Sequence, residues 1–302
     1  MSSDELVLPA ARERPAPGPE RAAPVWAAWR FFANELKLTF FRRRNQLLLL
    51  VTALFPLLIG IGLKAAAPSG GGGRGPSSSG AAYFSQLAGN GVFLTFVALS
   101  LLLILVLPVV VAVVAGDSIA GEAGYGTLRY LLAVPAGRTR LLAVKYAAVI
   151  VWAVTVTFVV SVVALLAGVV LFGAGPVTLL SGNTVSLASG LVHVLWVTLY
   201  VCAAMAALGA IGLAVSTFTE HSIGAIAAVL LLVVASEVVE NIPQFAPVTP
   251  YLPTDWWLSF DALLRSPIDT TALWHGLASF LAYAAVFLAI GWARFTSADV
   301  TS

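Results

Sequence analysis

The residues able to do chemistry concentrate in one stretch, residues 116–145, GDSIAGEAGYGTLRYLLAVPAGRTRLLAVK, which packs acids, bases and glycines between two long apolar runs. Asp117, Glu122, Arg129, Arg138, Arg140 and Lys145 cannot all lie in a bilayer core, because an Arg, Lys or Asp at mid-depth costs roughly 2.5–3.5 kcal/mol. The stretch is therefore expected at or outside the membrane surface. Gly116, Gly121, Gly124 and Gly126 permit sharp backbone reversals, after which residues 127–134 read as a short helix stopped by Pro135. Leu128, Leu131 and Leu132 share one face of that helix. Such a face either packs on the chain's own spans or docks in a groove of a soluble partner, with Glu122, Arg129 and Arg138 setting polar register.

The chemistry on offer is recognition and not bond making. No Gly-x-Ser-x-Gly elbow, His-Glu-x-x-His pair or Cys-x-x-Cys pair occurs. No catalytic residue is assigned, and the chain is not expected to be an enzyme. His193, His221 and His275 fall near different span ends with no companion at ligand spacing, so no metal site is expected. The single Cys202 sits inside an apolar run, as a packing residue would. The glycine clusters at residues 70–75 and 121–126 lack the Lys-Ser or Lys-Thr of a phosphate loop. If ATP is used, another chain binds it.

The elements that must hold this stretch are membrane spans. The chain has 302 residues, is 60% hydrophobic and 10% charged, and has a mean hydropathy of +0.96. Its long apolar runs show no period-two alternation, so the expected class is an all-α integral membrane protein and not a barrel. A net charge of +2 argues neither for nor against nucleic acid, and with the charges placed as they are no nucleic-acid partner is expected. Residues 1–24 alternate Arg and Glu among Pro and Ala without a signal-peptide core and read as a disordered cytoplasmic tail. In residues 25–44, Trp26, Trp29, Phe32, Leu36 and Phe40 recur at helical spacing ahead of Arg42, Arg43 and Arg44. That pattern predicts an amphipathic helix in the membrane interface whose arginines reach lipid phosphates.

Spans are predicted at about 46–63, 91–115, 141–172, 190–217, 222–240 and 273–292, with bends at Pro56 and Pro108. A Gly/Ser-rich loop follows the first span, and a Pro- and Trp-rich outer loop, 241–271, precedes the sixth. Six spans place both termini and residues 116–140 on one side. That side carries thirteen Lys and Arg, against Lys64, Arg74 and Arg265 on the other. The bias marks it as cytoplasmic in a cell (inner) membrane.

Gly121-Glu122 with Gly126-Thr127-Leu128, then Leu131-Leu132, Pro135, Arg138 and Lys145, resembles the G-E-x(3)-G-T-L…L-L…P…R…K pattern of type-2 ABC transporter permeases ahead of their third span. The six-span layout and the amphipathic helix before the first span are similar too. The resemblance implies a membrane subunit that pairs with a second copy or a related permease and binds separate ABC ATPase subunits, which hold ATP and Mg. Glu122, Gly126, Thr127, Leu128, Arg129, Leu131, Leu132, Pro135 and Arg138 would then form the loop that couples to the ATPase. No nucleotide-binding domain is fused to this chain, so a half-size permease is expected.

Polar groups within spans are candidates for a substrate path, namely Thr155, Thr157 and Ser161 in the third span and Glu237 and Glu240 at the outer end of the fifth. The hydroxyls could equally bond back to their own helix, and the two glutamates could simply be wet. Ala206, Gly209, Ala210, Gly212 and Ala214 offer a small-residue surface for close helix contact. A path so poor in charge suits drugs, lipids or amphiphilic peptides. Competing readings are an ATPase-coupled immunity or mechanotransmission protein that moves no solute, and a secondary transporter or channel, for which no repeat is evident.

Overall fold

The structure, a computed structural model, describes residues 25–66, 90–124, 137–178 and 183–297. Among them, α1 (Val25–Phe41) leads into α2 (Arg43–Ala66). The helices α3 (Phe93–Ile104), α4 (Val106–Gly124) and α5 (Arg138–Phe172) follow. A two-residue hairpin, β1 (Val177–Thr178) with β2 (Thr184–Val185), separates α5 from α6 (Leu187–Ser216). Then come α7 (Ser222–Glu240), three short 3₁₀ turns over the outer loop, and α8 (Thr270–Ser297). Among the described residues six helices are long and apolar enough to cross a membrane: α2, α4, α5, α6, α7 and α8.

Leu, Val and Ala runs form helices here because in hydrocarbon each backbone N–H and C=O must be satisfied within its own segment. The expected second span is two helices. The break falls at Leu105, whose backbone leaves the helical region (φ −142°, ψ −46°). Pro108 accounts for it: its nitrogen cannot donate to the carbonyl of Ile104, and its ring crowds that carbonyl. Pro56, in contrast, lies inside an unbroken α2.

The centre of the bundle is α6, the most buried of the spans, while α2, α7 and α8 expose most of theirs. The core joins Leu94, Leu99 and Leu103 of α3, Leu107 of α4, Trp152 and Val156 of α5, and Val201, Met205 and Leu208 of α6. Lipid tails are as apolar as leucine, so close approach of backbones, and not expulsion of water, holds such helices together. The small residues of α6 serve this purpose within the chain. A Cβ on Gly212 would lie 2.7 Å from Cβ of Ala115, one on Gly209 would lie 2.6 Å from Val149, and Ala214 lies against Gly291 of α8.

The glycines expected to reverse the chain after residue 115 do something else. Gly116, Gly121 and Gly124 lie within α4, which continues to Gly124, and residues 116–121 are mostly buried. A Cβ on Gly116 would meet Ile226 at 3.0 Å, and one on Gly124 the carbonyl oxygen of Glu220 at 2.8 Å. They let α4 run closely along α7 and the turn before it, so residues 116–124 are helix and not the predicted loop. Gly126, Thr127, Leu128, Arg129, Leu131, Leu132 and Pro135, with the short helix predicted for 127–134, lie outside the described residues. So does the tail 1–24.

Candidate functional site

At one end of the bundle, where α1, α2, α4 and α5 converge, charged side chains meet inside an apolar surround. Lys145 lies two turns into α5, and only 1% of its side chain is exposed. Its Nζ donates to Oε1 of Glu122, on the last turn of α4, at 2.7 Å and to Oε1 of Glu35, on α1, at 3.0 Å. An isolated ammonium could not remain charged there, and two carboxylates without it would repel each other. The Glu35–Lys145–Glu122 group therefore ties α1, α4 and α5 together.

One turn earlier on α4, Asp117 is held by the α1–α2 corner. Arg42 Nη1 and Arg44 Nη2 both donate to its Oδ2, at 2.5 and 2.8 Å. Asn45, buried at the start of α2, anchors this corner by donating to the carbonyl of Thr39 at 2.7 Å, and its Oδ1 accepts from Nε of Arg44 at 3.3 Å. Between the two ion-paired groups lies a cavity of about 30 Å³, lined by Glu35, Arg42, Asp117, Ser118, Glu122 and Lys145 among others. That is room for a water or two, in surroundings polar enough to hold one.

The arrangement departs from several sequence expectations. Asp117, Glu122 and Lys145 lie on helices, inside the bundle, and not on a surface loop. Arg42 and Arg44 turn at least part of their guanidinium groups inward to Asp117 instead of giving all of them to lipid. Arg138 opens α5 and donates to the carbonyls of Phe295 and Thr296 at 3.2 and 3.0 Å, so it caps the final turn of α8. On α1, Trp29 is exposed while Phe40 packs inward, its ring 5.3 Å from that of Trp152.

The suggested path residues are not brought together with this site. Thr155 and Thr157 donate to the carbonyls of Val151 and Ala153 on their own helix, at 2.7 and 2.8 Å. Ser161 instead bridges α5 to α6 through the hydroxyl of Thr198 at 2.8 Å. At the far end of the bundle Glu240 accepts from Thr254 of the outer loop, and Glu237 is half-buried on the preceding turn. Burial pushes the carboxyl of Asp255, in the same loop, above its usual range. Tyr200 fastens this loop to α6, donating to the carbonyl of Trp256 at 2.8 Å. Among the described residues no group of three His, Cys, Asp or Glu has metal-binding geometry.

Sequence reasoning missed Glu35 and the pairing of both arginines with Asp117. A signal was present: a lone Asp and a lone Lys placed a turn or two inside apolar helices require opposite charges nearby.

Fold and site together define a multi-pass helical membrane protein whose charged residues are gathered at one end of its bundle. The chain belongs to the family described as "Protein of unknown function (DUF2705)", whose model matches residues 76–301. Among curated proteins, none matches it.

Proposed function

We propose that this chain is the membrane-spanning subunit of an ATP-driven exporter of the type-2 ABC class, coupled to a separate ATPase. The observation that carries the reading is the Glu35–Lys145–Glu122 group. Glu122 stands at the end of α4, where the chain enters residues 125–136, and its ion pair continues to α5 and α1. A push delivered to 125–136 by a soluble partner would reach these helices as one body, because breaking the group strands buried charge.

In this reading Gly126, Thr127, Leu128, Arg129, Leu131, Leu132 and Pro135 make the partner contact, and Glu122 transmits it. ATP and Mg belong to the partner. The site lies on the cytoplasmic side of a cell membrane, with both termini there and α1 lying in the interface. The apolar faces that α2 and α7 leave exposed suit a second copy or a related permease. The low charge of the spans suits a hydrophobic or amphiphilic cargo such as a drug, lipid or peptide.

The test is a mild-detergent affinity purification of the tagged chain from its host, beside a Leu128→Asp/Leu132→Asp variant. The expected outcome is a stoichiometric soluble ATPase with the parent and its loss with the variant. If no ATPase is found even after crosslinking in cells, the reading fails and a secondary transporter or channel takes its place. An ATPase partner without flux in proteoliposomes would instead identify a mechanotransmission protein.

A further inference from the structure

We propose that the Arg42–Arg44 corner is a binding site for the phosphate of an anionic phospholipid. Three consecutive arginines occupy the turn at which α1 ends and the membrane-crossing α2 begins, so they stand at headgroup depth. Arg42 and Arg44 converge on a single oxygen, Oδ2 of Asp117. The Asp117 side chain is 8% exposed, whereas those of Arg42 and Arg44 are 42% and 45% exposed. Asp117 thus fixes both guanidinium groups from within and leaves outward donors, since each guanidinium carries five N–H groups and a carboxylate oxygen takes few of them.

The balance of charge at the junction leaves cations in excess. Arg42 and Arg44 pair with Asp117 and Lys145 with Glu35 and Glu122, these carboxylates are turned inward, and Arg43 beside them is exposed. A fork of two prearranged guanidinium groups matches the oxygens of a phosphate. A soluble anion would meet that charge equally well. The surroundings choose the lipid: exposed Leu38 and Phe41 of α1 and Leu47, Leu50 and Leu54 of α2 lie along the same corner, a path for acyl chains below a headgroup held at the arginines. Because the same arginines hold Asp117, the bound lipid would brace the end of α4, and the membrane's content of anionic lipid would set how firmly α1 and α4 are joined. This holds whether or not an ATPase is the partner.

The full chain, purified in mild non-ionic detergent, is titrated with phosphatidylglycerol, with phosphatidylcholine of the same chains, and with inorganic phosphate, and the unfolding midpoint is followed. Phosphatidylglycerol is expected to raise the midpoint saturably and the other two not to. The Arg42→Gln/Arg44→Gln/Asp117→Asn variant removes the fork together with the carboxylate it satisfies, and should weaken the apparent affinity about fivefold or more. Arg265→Gln, at the opposite end of the bundle, should leave it unchanged. If the triple variant does not fold, Arg44→Gln alone, which keeps Arg42 on Asp117, makes the same comparison. Equal effects of the two lipids, equal effects of inorganic phosphate and phosphatidylglycerol, or unaltered affinity in the fork variants would each overturn the proposal.

Discussion

Lys145 is where a single side chain decides most. Its ammonium is shared by two carboxylates from two other helices, and only 1% of its side chain is exposed. Lys145→Met should destabilise the protein by about 3–5 kcal/mol, because it leaves Glu35 and Glu122 close together and uncompensated. The triple variant Lys145→Met/Glu35→Gln/Glu122→Gln should recover much of that loss, since neutral groups of similar volume carry a far smaller desolvation penalty than uncompensated charges. Thermal unfolding in detergent measures both, and an unchanged midpoint for Lys145→Met would refute the ion-pair account. That Asp117, Glu122 and Lys145 matter was legible from their clustering between two long apolar runs. Their partners were not, because Glu35 and the arginines are distant in the chain and read locally as the polar side of α1.

Between helices, a close backbone approach joins the residues just before α3 to the end of α5. A Cβ on Gly168 would lie 1.9 Å from the carbonyl oxygen of Gly91, and one on Gly91 2.0 Å from that of Gly168. The same corner is closed by Gly91 donating to the carbonyl of Gly173 at 3.0 Å, with Gly173 at φ +85°, a conformation that favours glycine. Gly168→Ala should therefore cost about 1–3 kcal/mol as the helices are forced apart. Gly62→Ala, on α2 with nothing within 4 Å of the added methyl, should instead gain up to about 1 kcal/mol from helix propensity. A Gly168→Ala midpoint no lower than that of the parent would mean that α3 and α5 are not in contact as described. Glycine after residue 115 was read from the sequence as a licence to turn, a use that the structure shows at Gly173. In Gly91, Gly116 and Gly168 its missing Cβ is used for contact, as the small-residue pattern of α6 announced for Gly209 and Gly212 but no such pattern announced here.

For the whole molecule, the distribution of Lys and Arg predicts which side faces the cytoplasm. On a Cys202→Ala background, Glu220→Cys in the α6–α7 turn should react with a membrane-impermeant maleimide only after the membrane is opened. Asp269→Cys, at the start of α8, should react in intact cells. The opposite pattern would invert the protein and remove residues 125–136 from the reach of a cytoplasmic partner. What the sequence by itself determined is the existence and approximate limits of five of the six helices long enough to cross, including α7 at residues 222–240, because a run of about twenty apolar residues is a local property that the bilayer reads directly. Only the tertiary structure decided which helix is central, how far α4 extends, and where its charges go. A charge is admitted to a bundle only where opposite charges converge on it in space, and that convergence brings together Arg42, Arg44 and Asp117, or Glu35, Glu122 and Lys145, from elements that no local pattern connects.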